Sequence, residues 1–501
     1  MAKHMREVRS SESALGRVWR VVFVVAAVAM MAVPFAATFV VPTTESGEKR
    51  ELAAWPALTR EDGSPNLAYL SELGDWFGDH YALRNQLVDA NARVRAAALG
   101  TSSAQNVVVG TDGWLYYRGS VLDYQRQSRM SDRAVWNAAH NLTLASEYVE
   151  AKGGHLVVAV APDKCTIYPE HLPYYVQAGS GASNVERLYG QLAANGVSYV
   201  DLAQAFSGSD SVLYRKEDTH WTAEGAGLAA QAIVDELNHA HEDFSASAVT
   251  TVQSTGDLAS MLYPETAVPE KVPRYQDAWG FRCTNDASFP EDDTVQTAST
   301  AGGTGSLVMY RDSFGNAMLP FMATSYGTAL FSRLIPYDLT AASGGSDVVV
   351  LRAERHVASF ATRPAYLPAP ERDPSVVEGA VGVTTTTTLT AEKNGPYVEL
   401  KGSVDPRNLP TDAVTYATVT GEGGISHTYE CYTVSSSEGQ VADAEGTDAN
   451  DAAFEGDDGY LAYVPADACP QGVADVVITV SSAMHSSHVL STQVDFRAIL
   501  R

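Results

Sequence analysis

The chain has 501 residues, 34 Lys and Arg against 60 Asp and Glu, and a formal net charge of −26. That length supports two to four folded units, and 45% hydrophobic against 19% charged residues makes the chain globular rather than disordered. The charge excludes nucleic acid as the main partner, because phosphates would meet a field of their own sign.

Residues 1–20 carry Lys3, Arg6, Arg9, Arg17 and Arg20 against Glu7 and Glu12, and read as a basic cytoplasmic tail. Val21 to Val41 then runs without a charge, the length of a transmembrane helix. The positive flank predicts a cytoplasmic N-terminus and an extracytoplasmic bulk: a single-pass cell-membrane protein. Residues 42–60 read as a linker. Leu70, Leu73, Trp76, Phe77, Tyr81 and Leu83 recur at helical spacing, followed by a short strand at Val107–Val109 and the turn Asp112-Gly113. A helix over 131–152 stops at Gly153-Gly154.

Strand and helix then alternate. Strands are expected at 155–160, 197–202, 306–310 and 347–351, and helices at 185–194, 223–238 and 315–325. Short, wholly apolar strands between helices predict a parallel sheet covered on both faces, an α/β fold over residues 61–375. Residues 246–303, rich in Thr, Asp and Pro, read as an irregular insertion or lid. Beyond residue 376 the pattern is β, at 384–388, 397–400, 414–419, 427–434, 460–464 and 476–480, which predicts an all-β sandwich over 384–501 with glycan binding as its candidate role. Within it, residues 435–459 hold eight acids and no Lys or Arg, and read as a solvated acidic loop. Outside the membrane disulfides are permitted, and position along the chain pairs Cys165 with Cys283 and Cys431 with Cys469.

Two clusters carry chemistry. Asp218-Thr219-His220-Trp221-Thr222 leads into the 223–238 helix, and Arg311-Asp312-Ser313-Phe314-Gly315-Asn316 links a strand to the next helix. A serine at the carboxyl edge of a parallel sheet lies where such folds bind ligands, with helix-end amides available to an oxyanion. A nucleophilic serine needs a base, and the base an orienting acid; His220 and Asp218 are of the right types. Taken singly, each cluster reads as an N-cap or a packing feature ahead of a catalytic one; the two together, each at a helix-initiating loop of one α/β region, turn the reading towards a catalytic site. His239, His241 and Glu242 lack a fourth ligand, so neither metal nor cofactor is expected.

The chain resembles the DHHW proteins, extracytoplasmic SGNH-hydrolase-like relatives of the alginate O-acetyltransferases AlgX and AlgJ. The matching pieces are LGDWFGDHYALRNQL at 73–87, VVVGTDGWLYYRG at 107–119, VAPDKCTIYPEHLP at 160–173, DTHWT at 218–222, RDSFGNAMLPF at 311–321 and DVVVLRAERHV at 347–357. The resemblance implies an SGNH-like α/β domain with Ser313, His220 and Asp218 as a triad, and Asn316, Arg355 and Trp221 as substrate or oxyanion contacts. Thr219 stands where the name motif has its first histidine, and Arg311 where the family has glycine. The implied activity is O-acyl, specifically acetyl, transfer to a cell-envelope polysaccharide through an acyl-serine, with a membrane-bound acyltransferase donating the acyl group. An SGNH-type glycan or lipid esterase, and a non-catalytic envelope glycan-binding protein, are the alternatives. The acidity points to a neutral or amino-sugar glycan rather than a polyuronate.

Overall fold

A computed structural model describes residues 14–38, 53–60, 63–241, 244, 249–275, 279–405, 409–434 and 458–501. Two compact units partition the chain: residues 1–105 with 259–268, and residues 106–258 with 269–501.

The first unit holds helices α1 (Ala14–Ala37), α2 (Tyr69–His80) and α3 (Arg84–Leu99). Helix α1 covers the part of the expected 21–41 span up to Ala37, and residues 39–41 of that span lie outside the described residues. Among the described residues no helix is long and apolar enough to cross a membrane. Most of the expected linker, residues 42–52, lies outside the described residues, whereas Ala53 is fixed by donating its N–H to Asp79 at 2.9 Å. Arg93 reaches the Thr266 carbonyl at 2.8 Å and lies over the Tyr263 ring.

The second unit opens with an antiparallel ribbon, β1 (Val107–Val109) and β2 (Leu115–Tyr117), closed by a turn in which Asp112 and Gly113 both take positive φ. Helices α4 (Arg118–Tyr124) and α5 (Asp132–Ala151) lead to β3 (His155–Ala161), α6 (Lys164–Ile167), α7 (Asn184–Asn195), β4 (Tyr199–Asp201), α8 (Leu202–Phe206) and α9 (Ala223–Glu236). A hairpin-like pair, β5 (Val249–Ser254) and β6 (Glu270–Tyr275), brackets α10 (Asp257–Leu262). Strands β7 (Phe281–Cys283), β8 (Thr294–Ser299), β9 (Thr304–Tyr310), β10 (Tyr326–Ser332) and β11 (Asp347–Ala353) complete a seven-stranded sheet of order β4-β3-β11-β9-β10-β8-β7. The five strands from β4 to β10 are parallel, and β8 and β7 add antiparallel at one edge. The segment read as irregular, 246–303, therefore supplies four strands, two of them in the main sheet.

The apolar runs are explained by two cores. Val158, Val160, Val308, Tyr310, Val348 and Val350 face one core, and their alternate neighbours, among them Val157, Ala159, Leu307, Met309, Val349 and Leu351, face the other. Each strand is thus apolar on both faces, as a doubly covered parallel sheet requires. The helix expected at 315–325 divides into a 3-10 turn at Ser313–Ala317 and α11 (Leu319–Ser325). Pro320 has no N–H to donate back to Asn316, so a helix restarts around it, with the proline in the first turn.

The C-terminal part stacks two sheets. One contains β12 (Glu371–Arg372), β13 (Val381–Gly382), β16 (Val414–Thr420), β17 (Ser426–Glu430), β20 (Val473–Ser481) and β21 (Ser486–Asp495). The other contains β14 (Thr390–Asn394), β15 (Tyr397–Ser403), β18 (Tyr432–Val434) and β19 (Gly459–Pro465). Residues 384–388 form no strand; the ladder begins at Thr390. The acidic run 435–457 lies outside the described residues. Change of sheet type near residue 376 is not a break in packing, because the core on the α5 side of the main sheet continues into Tyr397, Val398, Ala417, Tyr432 and Tyr460.

All four cysteines are free. Cys165 follows β3 and donates to the Ser120 carbonyl at 3.4 Å. Cys283 lies in β7, five strand positions away, which at ~4.8 Å per strand is far beyond the ~7 Å Cα separation that a bridge permits. Cys431 and Cys469 point at the carbonyls of Tyr429 and Pro465 respectively.

Asn141 of α5 pins the helix to the C-terminal sheets. Its amide donates to Phe360 O at 2.8 Å and Thr433 O at 2.9 Å, and its oxygen accepts from Thr433 N at 2.9 Å. Asn141→Ala strands three buried groups, and a loss of roughly 2–4 kcal/mol is expected from the midpoint of urea unfolding. A loss within the scatter of surface substitutions removes Asn141 from this role.

Candidate active site

The carboxyl ends of the parallel strands gather the polar side chains that the sequence scatters. Asp163 follows β3, Ser313 follows β9 and Arg355 follows β11, while Asp218 and His220 lie in the loop before α9. Trp221 pairs with Tyr214 across that loop, and Thr222 caps α9 by accepting from Gly225 N at 3.2 Å.

Ser313 Oγ lies 2.8 Å from His220 Nε2, and His220 Nδ1 lies 2.8 Å from Asp218 Oδ1. A carboxylate only accepts, so Nδ1 carries the proton and Nε2 is the free base facing the serine. Asp218 is buried, and its second oxygen accepts from Arg215 at 2.5 Å and from Asp257 N at 3.3 Å. Burial works against its ionisation, but the hydrogen bond and charge of His220, then Arg215, hold its carboxyl well below the usual carboxylate range. For His220, burial again opposes the charged form; the hydrogen bond and charge of Asp218 and the charge of Asp257 outweigh it and raise the imidazole above its ordinary value of 6.5.

The nucleophile turn has its own anchor. The Asp312 carboxylate accepts from Phe314 N at 3.0 Å and from Ala353 N, at the end of β11, at 2.7 Å. Ser313 is the first residue of the 3-10 turn, where an N–H has no acceptor within the turn and is available to an oxyanion. Gly315 allows the turn to close over Arg311: a Cβ there would lie 2.5 Å from the arginine side chain.

The other expected contacts divide. Arg355 donates to Asp163 at 2.7 Å and lies over the rings of Tyr117 and Phe314, beside the triad. Asn316 gives its oxygen to Arg311, itself fully buried and bonded to the carbonyls of Pro290 and Asp292. It is therefore a support of the turn. Trp221 is 2% exposed and donates to Phe314 O at 3.1 Å, so it joins the base loop to the nucleophile turn and offers no face to a sugar.

Several residues here were given no role by the sequence, Lys164 of the quoted 160–173 segment among them. Lys164 donates to the carbonyls of Arg215, Lys216 and Asp218 at 3.0, 2.9 and 2.6 Å, and burial brings its ammonium down to about 8 against the pull of Asp218 and Asp257. Arg215 bridges Asp218 to Glu270 of β6. Asp257 accepts from Thr219 N at 2.8 Å and from the Thr219 hydroxyl. The only sequence signal for Asp257 is its place after Gly256, a glycine whose Cβ would lie 2.0 Å from Glu217 O. Asp218, His220 and Asp257 bring potential metal-ligand atoms within 4.8 Å of one another, but those atoms are engaged with Thr219, Ser313, Arg215 and each other, a hydrogen-bonded relay and not a cation cage. His239 and His241 turn to separate partners, Ser325 O and Asp235, and Glu242 lies outside the described residues.

Behind Arg355 lies a second acidic group. Burial, then the charges of Asp163 and Asp123, raise Glu354 to about 8, and its Oε2 accepts from Asp163 N at 2.8 Å and Thr166 at 2.7 Å.

Comparisons with known proteins agree with the motif reading. Residues 107–301 match the family described as SGNH hydrolase-like domain, acetyltransferase AlgX. A probable alginate O-acetylase AlgJ of Pseudomonas syringae pv. tomato is 31% identical over 167 residues, which cover 31% of this chain and 41% of that protein. The chain thus spans about two fifths of the length of the curated relatives it matches. Among solved structures, Bacillus cereus PatB1 aligns with a TM-score of 0.40 and 16% identity over 50% of this chain and 96% of its own. A DHHW family protein from Eubacterium siraeum aligns with a TM-score of 0.36 and 16% identity, over 45% and 88%. The resemblance to this SGNH-like group is therefore borne out, and with it an α/β fold carrying an additional β-rich C-terminal region.

Glu354 sets a pH dependence of stability. Between its ordinary value of 4.5 and about 8 the folded chain holds a proton that the unfolded chain has released, so stability falls as pH rises through that window. Glu354→Gln keeps the accepting oxygen and removes the titration. Urea midpoints at pH 5, 6.5 and 8 are expected to fall less steeply in the variant; parallel curves exclude this assignment.

Proposed function

We propose that the protein is a serine O-acyltransferase, acetyl being the group carried, that acts on a cell-envelope polysaccharide. The observation that carries the reading is the unbroken Ser313–His220–Asp218 chain of hydrogen bonds, 2.8 Å at each link, at the carboxyl edge of the parallel sheet, with His220 and Asp218 inside the segment 107–301 that matches an acetyltransferase family. Ser313 Oγ attacks the acyl carbonyl as His220 Nε2 takes its proton, and Asp218 stabilises the imidazolium. The Ser313 N–H, at the first position of the 3-10 turn, is the candidate donor to the resulting oxyanion, and Arg355, over the Phe314 ring, is a second candidate. Collapse breaks the bond to the donor, which leaves with the proton from His220, and an acyl-serine remains. A sugar hydroxyl then attacks that ester, gives its proton to His220 and departs acylated, and the proton returns to Ser313.

The location and partner follow from chemistry. A basic tail followed by the apolar run 21–41 supports an extracytoplasmic catalytic part tethered at the cell membrane. Outside the cytoplasm an acyl group must be handed across the membrane, which calls for a membrane-bound acyltransferase as donor. The charge of −26 favours a neutral or amino-sugar glycan as acceptor, in contrast to the alginate in the names of its relatives.

Ser313→Ala is expected to abolish acetyl transfer from a 4-nitrophenyl acetate donor to oligosaccharide, and envelope O-acetylation in cells; unchanged acetylation overturns the assignment. Because His220 acts as a base, kcat/KM is expected to decline as pH falls through a value above 6.5. Turnover indifferent to added oligosaccharide identifies an esterase instead. At low salt, polyuronate is expected to bind more weakly than neutral oligosaccharide, and the reverse order excludes the neutral acceptor.

A further inference from the structure

The catalytic loop is met by a second carboxylate that the triad does not account for. Asp257 opens α10, where its side chain accepts from Thr219 N at 2.8 Å, from the Thr219 hydroxyl and from Leu258 N at 2.7 Å. Its own backbone N–H donates to Asp218 Oδ2 at 3.3 Å. Its Oδ2 lies 3.8 Å from His220 Nδ1, on the ring nitrogen that Asp218 also faces. One residue thus holds the middle of the Asp218-Thr219-His220 loop from its side chain and the triad acid from its backbone. Gly256 permits the approach, since any side chain there would collide with Glu217 O.

We propose that Asp257 is a positioning residue for the base: it fixes the Asp218–His220 pair through Thr219 and, with its charge, stabilises the imidazolium that forms when His220 takes a proton. The charged groups facing His220 come from four places. Asp218 lies in its own loop and Asp257 at the start of α10; Arg215, across that loop, neutralises the far oxygen of Asp218; Arg355 beyond β11 opposes the imidazolium. Lys164 of α6 holds the Asp218 carbonyl at 2.6 Å. Three cations lie about the Asp218–His220 pair, and after Asp218 the Asp257 carboxylate is the next charge that favours the imidazolium. Its carboxylate is close enough for a Coulomb effect of about one pH unit on the imidazole even with strong screening.

This inference rests on the proposed acyl transfer only for its kinetic consequence, so the test has two readouts. The first is the proton titration of His220, followed by NMR of protein carrying labelled histidine, with His220→Gln to assign the signal. In full-length Asp257→Asn, uncharged but similar in shape, the midpoint is expected to fall by about one unit. Asp257→Ser, which keeps an oxygen to cap α10, is expected to show the same fall, and Asp257→Glu to restore most of the wild-type value. The second readout is the acid limb of kcat/KM for 4-nitrophenyl acetate, which is expected to shift to lower pH in Asp257→Asn with kcat reduced about tenfold and KM little changed. A His220 midpoint that does not move in any charge-removing variant overturns the inference, as does a change confined to KM. A midpoint that falls in a protein with no Ser313-dependent turnover sustains the role of Asp257 and removes the acyltransferase reading instead.

Discussion

Burying the carboxylate of Asp218 is the demand that organises the site. A carboxylate taken from water must be supplied with donors, or its burial costs several kcal/mol and it protonates. Asp218 receives four: Arg215, both the ring and the backbone N–H of His220, and the backbone N–H of Asp257. Two of them come from segments that cannot reach it without special provision. Asp257 arrives because Gly256 allows two backbones to touch, and Arg215 is held straight by Glu270 and the Ser254 carbonyl on the β5–β6 pair. Asp257 and the β5–β6 pair therefore keep the triad acid ionised.

The serine is held by a parallel device one strand away. Asp312 is likewise buried, and burial opposes its charge, yet the His356 side chain, Arg352 and the Ala353 N–H keep it well below the usual carboxylate range. By bonding Phe314 N and Ala353 N together it ties the end of β9 to the end of β11, and Trp221 joins the turn to the base loop through Phe314 O. Base and nucleophile belong to segments 93 residues apart, and these few bonds fix their spacing at 2.8 Å. The adjacent residues that look functional by type, Asn316 and Trp221, serve this framework.

How much of this was legible follows from what each feature depends on. Strands β3, β9 and β11 were readable because a strand covered on both faces is apolar throughout, a local property. Strand β10 was not, since YGTALFS follows α11 without a break and mixes Gly and Thr into the run. Strands β7 and β8 were missed because this antiparallel margin of the sheet is only partly buried and admits polar residues such as Thr294 and Gln296. The cysteine pairing failed because compartment and chain order say nothing about which sheet edge each thiol occupies. Asp218, His220 and Ser313 were visible by residue type and by their places before helical turns. The roles of Asp257, Glu270 and Lys164 were not legible because they exist only once distant segments converge on Asp218 and Arg215, and Arg215, three residues from Asp218, stands outside the quoted motif.

That convergence also constrains what the site offers to a substrate. The cations around the triad already have partners: Arg215 lies between two carboxylates, Lys164 is surrounded by three carbonyls and the rings of Trp114 and Tyr116, and Arg355 is bound to Asp163. Their charge is spent on holding buried acids and loop backbone, so it does little to offset the acidity of the chain as a whole. A polyanionic acceptor would approach against that field and find each of these three cations committed. A sugar hydroxyl needs no such cation; it needs a free imidazole nitrogen, a positioned serine and donors for a developing oxyanion, which are the features the two buried carboxylates hold in place.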